Sequence, residues 1–374
     1  GTRRISDDIR IREAIPTINY LRNAGASVIL CTHLGRPSGK PSGELGLAPI
    51  AERLASLLDI AVDYVHDAPG KAAFAKAASL TSGHVLLIEN IRFWPGEEAN
   101  DSLFAQSIGR LGDIYVNDAF GTAHRAHAST EGVAHVLPGV AGLLMEKEIN
   151  FLGAVLQNPV RPLAALLGGA KVSDKIKVLE RLIDHADSLF VGGGMAATFL
   201  KAKGFGIGKS LLEADLVDFC AEVLDRCEAA GTTLMLPTDV IIAQKLEEDA
   251  PIQTVRVDAV PDDWMILDIG PESAELFATT LGAMGTVVWN GPMGVFELPL
   301  FQAGTRVVAE GLASGSAITV IGGGSTAEAV AALGLADKMT HVSTGGGASL
   351  EFLEGKTLPG IAALQDIDSS PNSR

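Results

Sequence analysis

Cysteine is scarce: Cys31, Cys220 and Cys227 are the only three in 374 residues. Their spacing matches neither a zinc site nor a disulfide framework, which points to a reducing compartment and to three small buried hydrophobes. Although 47% of the residues are hydrophobic and 20% charged, no run approaches the ~18 consecutive apolar residues of a membrane helix. Positive charge is also short. Lys and Arg number 29 against 45 Asp and Glu, a net charge of −16 with a pI near 4.9, so nucleic acid and anionic membranes are repelled. Any phosphate-bearing ligand therefore needs a local basic pocket. Residues 1–5 (GTRRI) lack the apolar core of a secretory signal, and no solenoid-type repeat is present.

Glycine, by contrast, is plentiful, 42 of 374 residues where ~7% is usual. Short Val/Ile/Leu-rich runs end in Gly, Asn, His or Ser and give way to helical patterns, which is the signature of βα units and hence of a parallel sheet. In the first half the pattern predicts strands at 27–32, 85–89 and 114–117 and helices at 11–24, 48–58 and 103–111. In the second half it predicts strands at 163–167, 189–191, 286–289 and 318–321. Two α/β sheets fit this length better than one. Residues 141–157 (AGLLMEKEINFLGAVLQ) read as a long helix stopped by Asn158-Pro159 and Arg161-Pro162, the expected connection between two lobes. The end of the chain, SSPNSR, has the composition of a surface segment.

Three glycine triplets open predicted helices, at 192–194, 322–324 and 345–347; such a triplet lets backbone amides approach a phosphate where the macrodipole favours negative charge. GGGMAA and GGGSTA also satisfy G-x-G-x-x-G/A, but the acidic residue of a dinucleotide fold is missing, since Glu213 falls within a helical pattern, SLLEADLVDFC. Gly208-Lys209-Ser210 is not a P-loop, because the first glycine of that motif would fall at Lys203. His124 and His127 could share one helical face as metal ligands, yet no third ligand is evident. More telling are the basic groups just past predicted strand ends: His33 and Arg36 in THLGRP, Arg92 in ENIRF, His124 and Arg125 in GTAHR. In an open α/β sheet those ends face the ligand crevice, and convergent arginines suit phosphate or carboxylate. Lys171 and Lys175 in GGAKVSDK stand where a strand gives way to a helix, within reach of a nucleotide phosphate. An anion pocket in one half and a nucleotide platform in the other suit phosphoryl transfer.

These segments, with DDIRIREAIPTI, NDAFGTAHRAHAST, MEKEI, GGGMA, LDIGP, VWNGPMGVFE and STGGGASLEFLEGKTLPG, resemble the phosphoglycerate kinase family over essentially the whole chain. The resemblance implies an α/β protein of two Rossmann-like three-layer lobes: residues 1–140 for 3-phosphoglycerate, the helix 141–157, residues 158–343 for the nucleotide, and 344–374 as hinge and returning segment. It implies transfer of the acyl phosphate of 1,3-bisphosphoglycerate to Mg-ADP, direct and in line, by a cytoplasmic glycolytic monomer whose lobes close on a hinge. The substrate pocket would be Arg10, His33, Leu34, Gly35, Arg36, Arg92 and Arg125. The nucleotide side would be Lys171, Lys175, Gly192, Gly193, Gly270, Asn290, Pro292, Glu297, Gly323, Gly324, Ser325 and Thr326. Arg10, Lys175, Gly345 and Gly346 would meet the migrating phosphoryl group.

Two departures from the family pattern stand out. Its opening V-D-F-N-V-P strand is absent ahead of Gly1, which leads us to expect roughly 20 further residues upstream, since a sheet edge would otherwise be open. And where the family carries an aspartate that helps hold Mg²⁺, this chain has Ser325.

Overall fold

The computed structural model describes residue 5 and residues 7–365; SSPNSR lies outside them. The chain divides into two compact units, Gly1–Ile149 with Thr357–Arg374, and Asn150–Lys356.

In the first unit β1 (Val28–Leu30), β2 (Val62–Val65) and β3 (Val85–Ile88) form a parallel sheet in the order β1-β3-β2. β3, VLLI, is buried throughout, as an unbroken apolar run at the centre of a covered sheet should be. On one face, Ile18 of helix Ile9–Asn23 and Leu54 of helix Ala48–Leu58 pack with Val28 and Val85. On the other, Leu86 and Ile88 pack with Ile91, Ala105 and Ile108. The expected strands and helices of this half are present, their ends moved by a residue or two. β2, VDYV, was not anticipated; its four residues are all half-buried and its apolar alternation is too short to read. Cys31 departs from expectation too, being exposed, whereas Cys220 and Cys227 are buried. It follows β1, which among the described residues pairs with β3 alone.

A second parallel pair, β4 (Tyr115–Asn117) with β5 (Gly139–Ala141), corrects the reading of 141–157 as one helix. Residues 139–141 are extended, and the helix is Leu143–Gln157. Its start is set by Asp118, whose Oδ1 accepts the amides of Leu144 and Met145 at 2.9 and 3.2 Å and so satisfies donors that a helix N-terminus leaves open. The returning segment is tied to this unit by Gly360 N–H to Ala123 O, Asn117 Nδ2 to Gly360 O and Gln365 N–H to Gly139 O, each 2.9 Å.

The second unit contains β6 (Leu163–Leu167), β7 (Ser188–Val191), β8 (Thr233–Met235), β9 (Asp239–Ala243), β10 (Ile252–Arg256), β11 (Met265–Ile269), β12 (Thr286–Asn290), β13 (Ile318–Gly322) and β14 (His341–Val342). Six of them form a parallel sheet in the order β14-β13-β12-β6-β7-β8. Trp289, Phe190 and Phe277 fill its core, and helix Ile176–Ile183 turns Val178, Leu179, Leu182 and Ile183 inward at helical spacing. The expected two sheets become four among the described residues, because β10-β9-β11 form a separate antiparallel sheet. Of its strands β10, IQTVR, is almost wholly exposed and has no apolar run, whereas the buried runs of β9, DVIIA, and β11, MILDI, were passed over in the sequence. From β6 the chain runs outward to β7, whereas from β12 it runs the other way to β13, so strand order reverses between β6 and β12. The loops leaving these two strands therefore border the crevice where ligands bind in such sheets.

Candidate active site

In the first unit Arg92 is the buried member of the basic set, 6% exposed. It lies in the short 3₁₀ turn Ile91–Phe93. Its Nη1 donates to Gly35 O at 3.2 Å, while Nε makes no hydrogen bond and lies 3.5 Å from Glu98 Oε1. Arg10, at the start of helix Ile9–Asn23, and Arg36 and Arg125 in loops are exposed. Leu34 contributes its carbonyl, which accepts from Asn90 Nδ2 at 2.8 Å. Gly35 has φ +66°, and a Cβ there would sit 2.8 Å from Leu45 Cδ2, so this turn needs glycine.

Burial above all, then Arg92, His127, Arg10 and Arg125, pushes the His33 imidazole down to about 4. It is therefore neutral at pH 7. Burial and Arg92 lower His127 as well. Positive groups thus repel one another here, and an arriving anion relieves that repulsion. His124 and His127 occupy turns after Phe120–Thr122 and not one helical face, and among the described residues no group of three His, Cys, Asp or Glu could hold a metal ion.

In the second unit the loops leaving β6, β7 and β12 are joined through their backbones. Gly168 N–H donates to Asn290 O, Gly169 N–H to Pro292 O, Gly192 N–H to Leu167 O and Gly193 N–H to Met293 O, all at 2.9 Å. Gly193 has φ +64°, and its Cβ would lie 2.6 Å from Gly169 N. Gly192 and Gly193 are thus glycine because loops cross closely. Their engaged amides can wall a site but not cradle a phosphate. Gly270 is similar: its amide reaches Asp239 O at 2.8 Å, and a Cβ would meet the Asp239 carboxylate at 2.2 Å. Gly345 donates to Ser343 Oγ at 3.1 Å, so it too has no amide left for a phosphoryl group.

Gly324 and Gly346, however, have nothing within 4 Å of an added Cβ. Gly323, at φ +86°, caps helix Gly324–Ala332, and Ser325 is exposed in its first turn. Thr326 is wholly buried, its Oγ1 accepting Gly291 N–H at 2.6 Å. The hydroxyl ties this helix to the loop after β12. Pro292 is buried in that loop, and Glu297 is exposed at its far end.

Lys171 is exposed, but Lys175, just ahead of helix Ile176–Ile183, is 8% exposed and its Nζ donates to Asn290 Oδ1. Burial lowers its pKa to about 8, with Asp174 opposing. An ammonium has no acceptor, so the contacting atom of Asn290 must be oxygen. Nδ2 then lies toward Gly323, buried and without a hydrogen-bond partner. The loop that bears Lys171 and Lys175 is held by Glu213, which lies before the 3₁₀ turn Ala214–Leu216 and not inside a helix as expected. Its Oε2 accepts the amides of Val172 and Ser173 at 2.6 and 3.1 Å.

Sequence reasoning missed Glu213, and also Asn90, which is wholly buried and joins Leu34 O to Leu45 O at 2.8 and 2.9 Å. Glu97 was missed as well. It is 2% exposed and accepts Ser129 N–H and Oγ–H at 2.9 and 2.6 Å, holding the turn that carries Arg125. Asn90 lies inside the quoted ENIRF segment; for the other two, only a carboxyl in an otherwise apolar or glycine-flanked stretch hinted at a role.

The model of the phosphoglycerate kinase family matches residues 1–356. The phosphoglycerate kinase of Herpetosiphon aurantiacus is 55% identical over 364 residues, 97% of this chain and 92% of that protein. That of Moorella thermoacetica is 54% identical with the same coverages. Among solved structures, the phosphoglycerate kinase of Coxiella burnetii superposes with TM-score 0.88 at 44% identity, covering 96% of this chain and 91% of that one. That of Pyrococcus horikoshii gives 0.83 at 35% identity, covering 96% and 92%. At these identities and near-complete coverage, the chain belongs to the phosphoglycerate kinase family.

Proposed function

We propose that this chain transfers the acyl phosphate of 1,3-bisphosphoglycerate directly to Mg-ADP, giving 3-phosphoglycerate and ATP, and does so as a monomer in the cytoplasm. The observation that carries this reading, beyond family membership, is that Lys175 is buried with an amide oxygen as its hydrogen-bond partner, only the charge of Asp174 opposing the cost of that burial among the described residues. A buried cation so placed is poorly compensated, and a phosphoryl group would complete it. In the first unit Arg10, Arg36, Arg92 and Arg125 supply the excess charge for a multiply anionic phosphoglycerate, with neutral His33 as a hydrogen-bonding group.

The β-phosphate oxygen of ADP is already an anion, so attack on the acyl phosphorus needs no general base. A bond forms from that oxygen to phosphorus as the bond to the carboxyl oxygen breaks, and the leaving carboxylate keeps the electron pair. Arg10 and Lys175 stabilise the equatorial oxygens. At the helix starts Gly324 and Gly346 stand beside open space that leaves room for phosphate, whereas Gly323 lies against Asn290. The chain's own residues do not fit a resident magnesium centre: Ser325 offers an exposed hydroxyl in place of a carboxylate, and among the described residues no acidic or His/Cys cluster forms. Mg²⁺ thus enters as part of the nucleotide substrate.

Dehydrogenase chemistry is disfavoured because Glu213, the acid nearest the expected position, is engaged by Val172 and Ser173. The test is a coupled assay of ATP formation from 1,3-bisphosphoglycerate. Turnover supports the reading; tight binding of both ligands without turnover would make the chain a substrate-binding pseudo-enzyme.

A further inference from the structure

Asp268 lies in β11 with 1% exposure. Its surroundings consist of amide donors. Gly304 N–H donates to Oδ2 at 2.8 Å, Ile269 N–H to Oδ1 at 2.9 Å, and the Ala303 amide also donates to the carboxylate. Ala303 and Gly304 open helix Ala303–Ser314, whose own N-cap residue, Gln302, makes no side-chain capping bond. A carboxylate from another element therefore caps this helix, where the macrodipole favours it.

The loop after β12 rests on the same group. A Cβ on Gly294 would fall 2.3 Å from Asp268 Oδ1, and one on Gly304 2.5 Å from it. Either side of Gly294, Met293 N–H donates to Thr305 Oγ1 at 3.0 Å and Val295 N–H to Leu267 O at 2.9 Å. Thr305 belongs to the turn that Asp268 caps. The loop running from Gly291 to Glu297 is thus seated on one buried carboxylate and on the helix start that it orders.

We infer that Asp268 is a positioning residue for nucleotide binding: it touches no substrate, but holds the loop carrying Pro292 and Glu297 in its binding geometry by capping helix Ala303–Ser314. The inference rests on the nucleotide-side reading above. Its test is calorimetric titration of the full chain with Mg-ADP, with steady-state kinetics, at about pH 8, above the value of about 7 to which burial pushes this carboxyl. Asp268→Asn keeps the shape but sets an NH₂ among amide donors. It should raise the Kd and KM for ADP about fivefold or more and leave the 3-phosphoglycerate KM and kcat within about twofold. Thr305→Val, which removes only the acceptor of Met293 N–H, should raise the ADP values in the same direction and serves if Asp268→Asn does not fold. A lowered Tm with unchanged ADP Kd in either variant would make Asp268 merely structural and overturn the inference. Failure of the parent chain to bind Mg-ADP would instead overturn the nucleotide reading, and the inference with it.

Discussion

Lys175 brings its charge into a buried position with an amide oxygen for company, so its proton is held less tightly than a surface lysine's. The free protein should lose this cation as pH rises through about 8. We expect kcat/KM for ADP to fall about tenfold per pH unit above that point, and Lys175→Arg, whose cation does not titrate there, to remove the alkaline limb. Lys175→Ala should lower kcat ~10²-fold or more, whereas Lys171→Ala should act mainly on KM; kcat for Lys175→Ala within about threefold of the parent would contradict the role proposed for it. Ser325→Asp should lower the Mg²⁺ concentration for half-maximal rate, because a carboxylate is a stronger ligand for this ion than a hydroxyl. Asp268 gives a stability test with a definite sign. Burial raises its folded-state value to about 7 from an ordinary 3.8, so its contribution is fully present below about 4 and is lost as pH rises through 7. The unfolding free energy of the parent relative to Asp268→Asn should fall over that window in urea titrations. ENIRF and GGAKVSDK showed Arg92, Lys171 and Lys175 because cations after strand ends are unusual in so acidic a chain. Asn90, Glu97 and Glu213 stayed hidden because their partners are backbone groups distant in sequence.

At the scale of elements, three glycine triplets that look alike in sequence do different things. Gly192 and Gly193 sit under crossing loops with their amides engaged, whereas Gly324 stands beside open space at a helix start. Gly193→Ala should cost about 2–4 kcal/mol in chemical denaturation, from the positive φ and the contact with Gly169 N. Gly324→Ala should stay within about 1 kcal/mol of the parent yet weaken Mg-ADP binding, because its methyl would enter the space left for phosphate. Equal destabilisation by both substitutions would show that the open space is not real. The helix starts follow the same logic: Asp118 caps Leu143–Gln157 and Asp239 caps Pro271–Gly282 through Glu272 and Ser273 N–H at 3.1 and 2.8 Å. In each case the capping carboxyl lies well upstream, so no local signature could mark it.

For the molecule as a whole, the two units are linked at 149/150 and again at 356/357. We propose that closure accompanies turnover; small-angle scattering should show a smaller radius of gyration with 3-phosphoglycerate and a nonhydrolysable Mg-nucleotide bound together than with either alone, and no difference would refute it. The sequence by itself determined what local periodicity and composition control: the α/β class, the apolar runs 163–167 and 286–289 as strands, the helix at 48–58, a helix beginning after GGAKVSDK, the basic residues past strand ends, and the family. Tertiary structure alone decided which amides remain open, which lysine is buried, where a strand displaces the start of a helix, and that an antiparallel sheet flanks the parallel one. The reason is physical. Periodicity reports the face that a segment hides from water, but hydrogen-bond partners and desolvation depend on groups that only folding brings within 3 Å of one another.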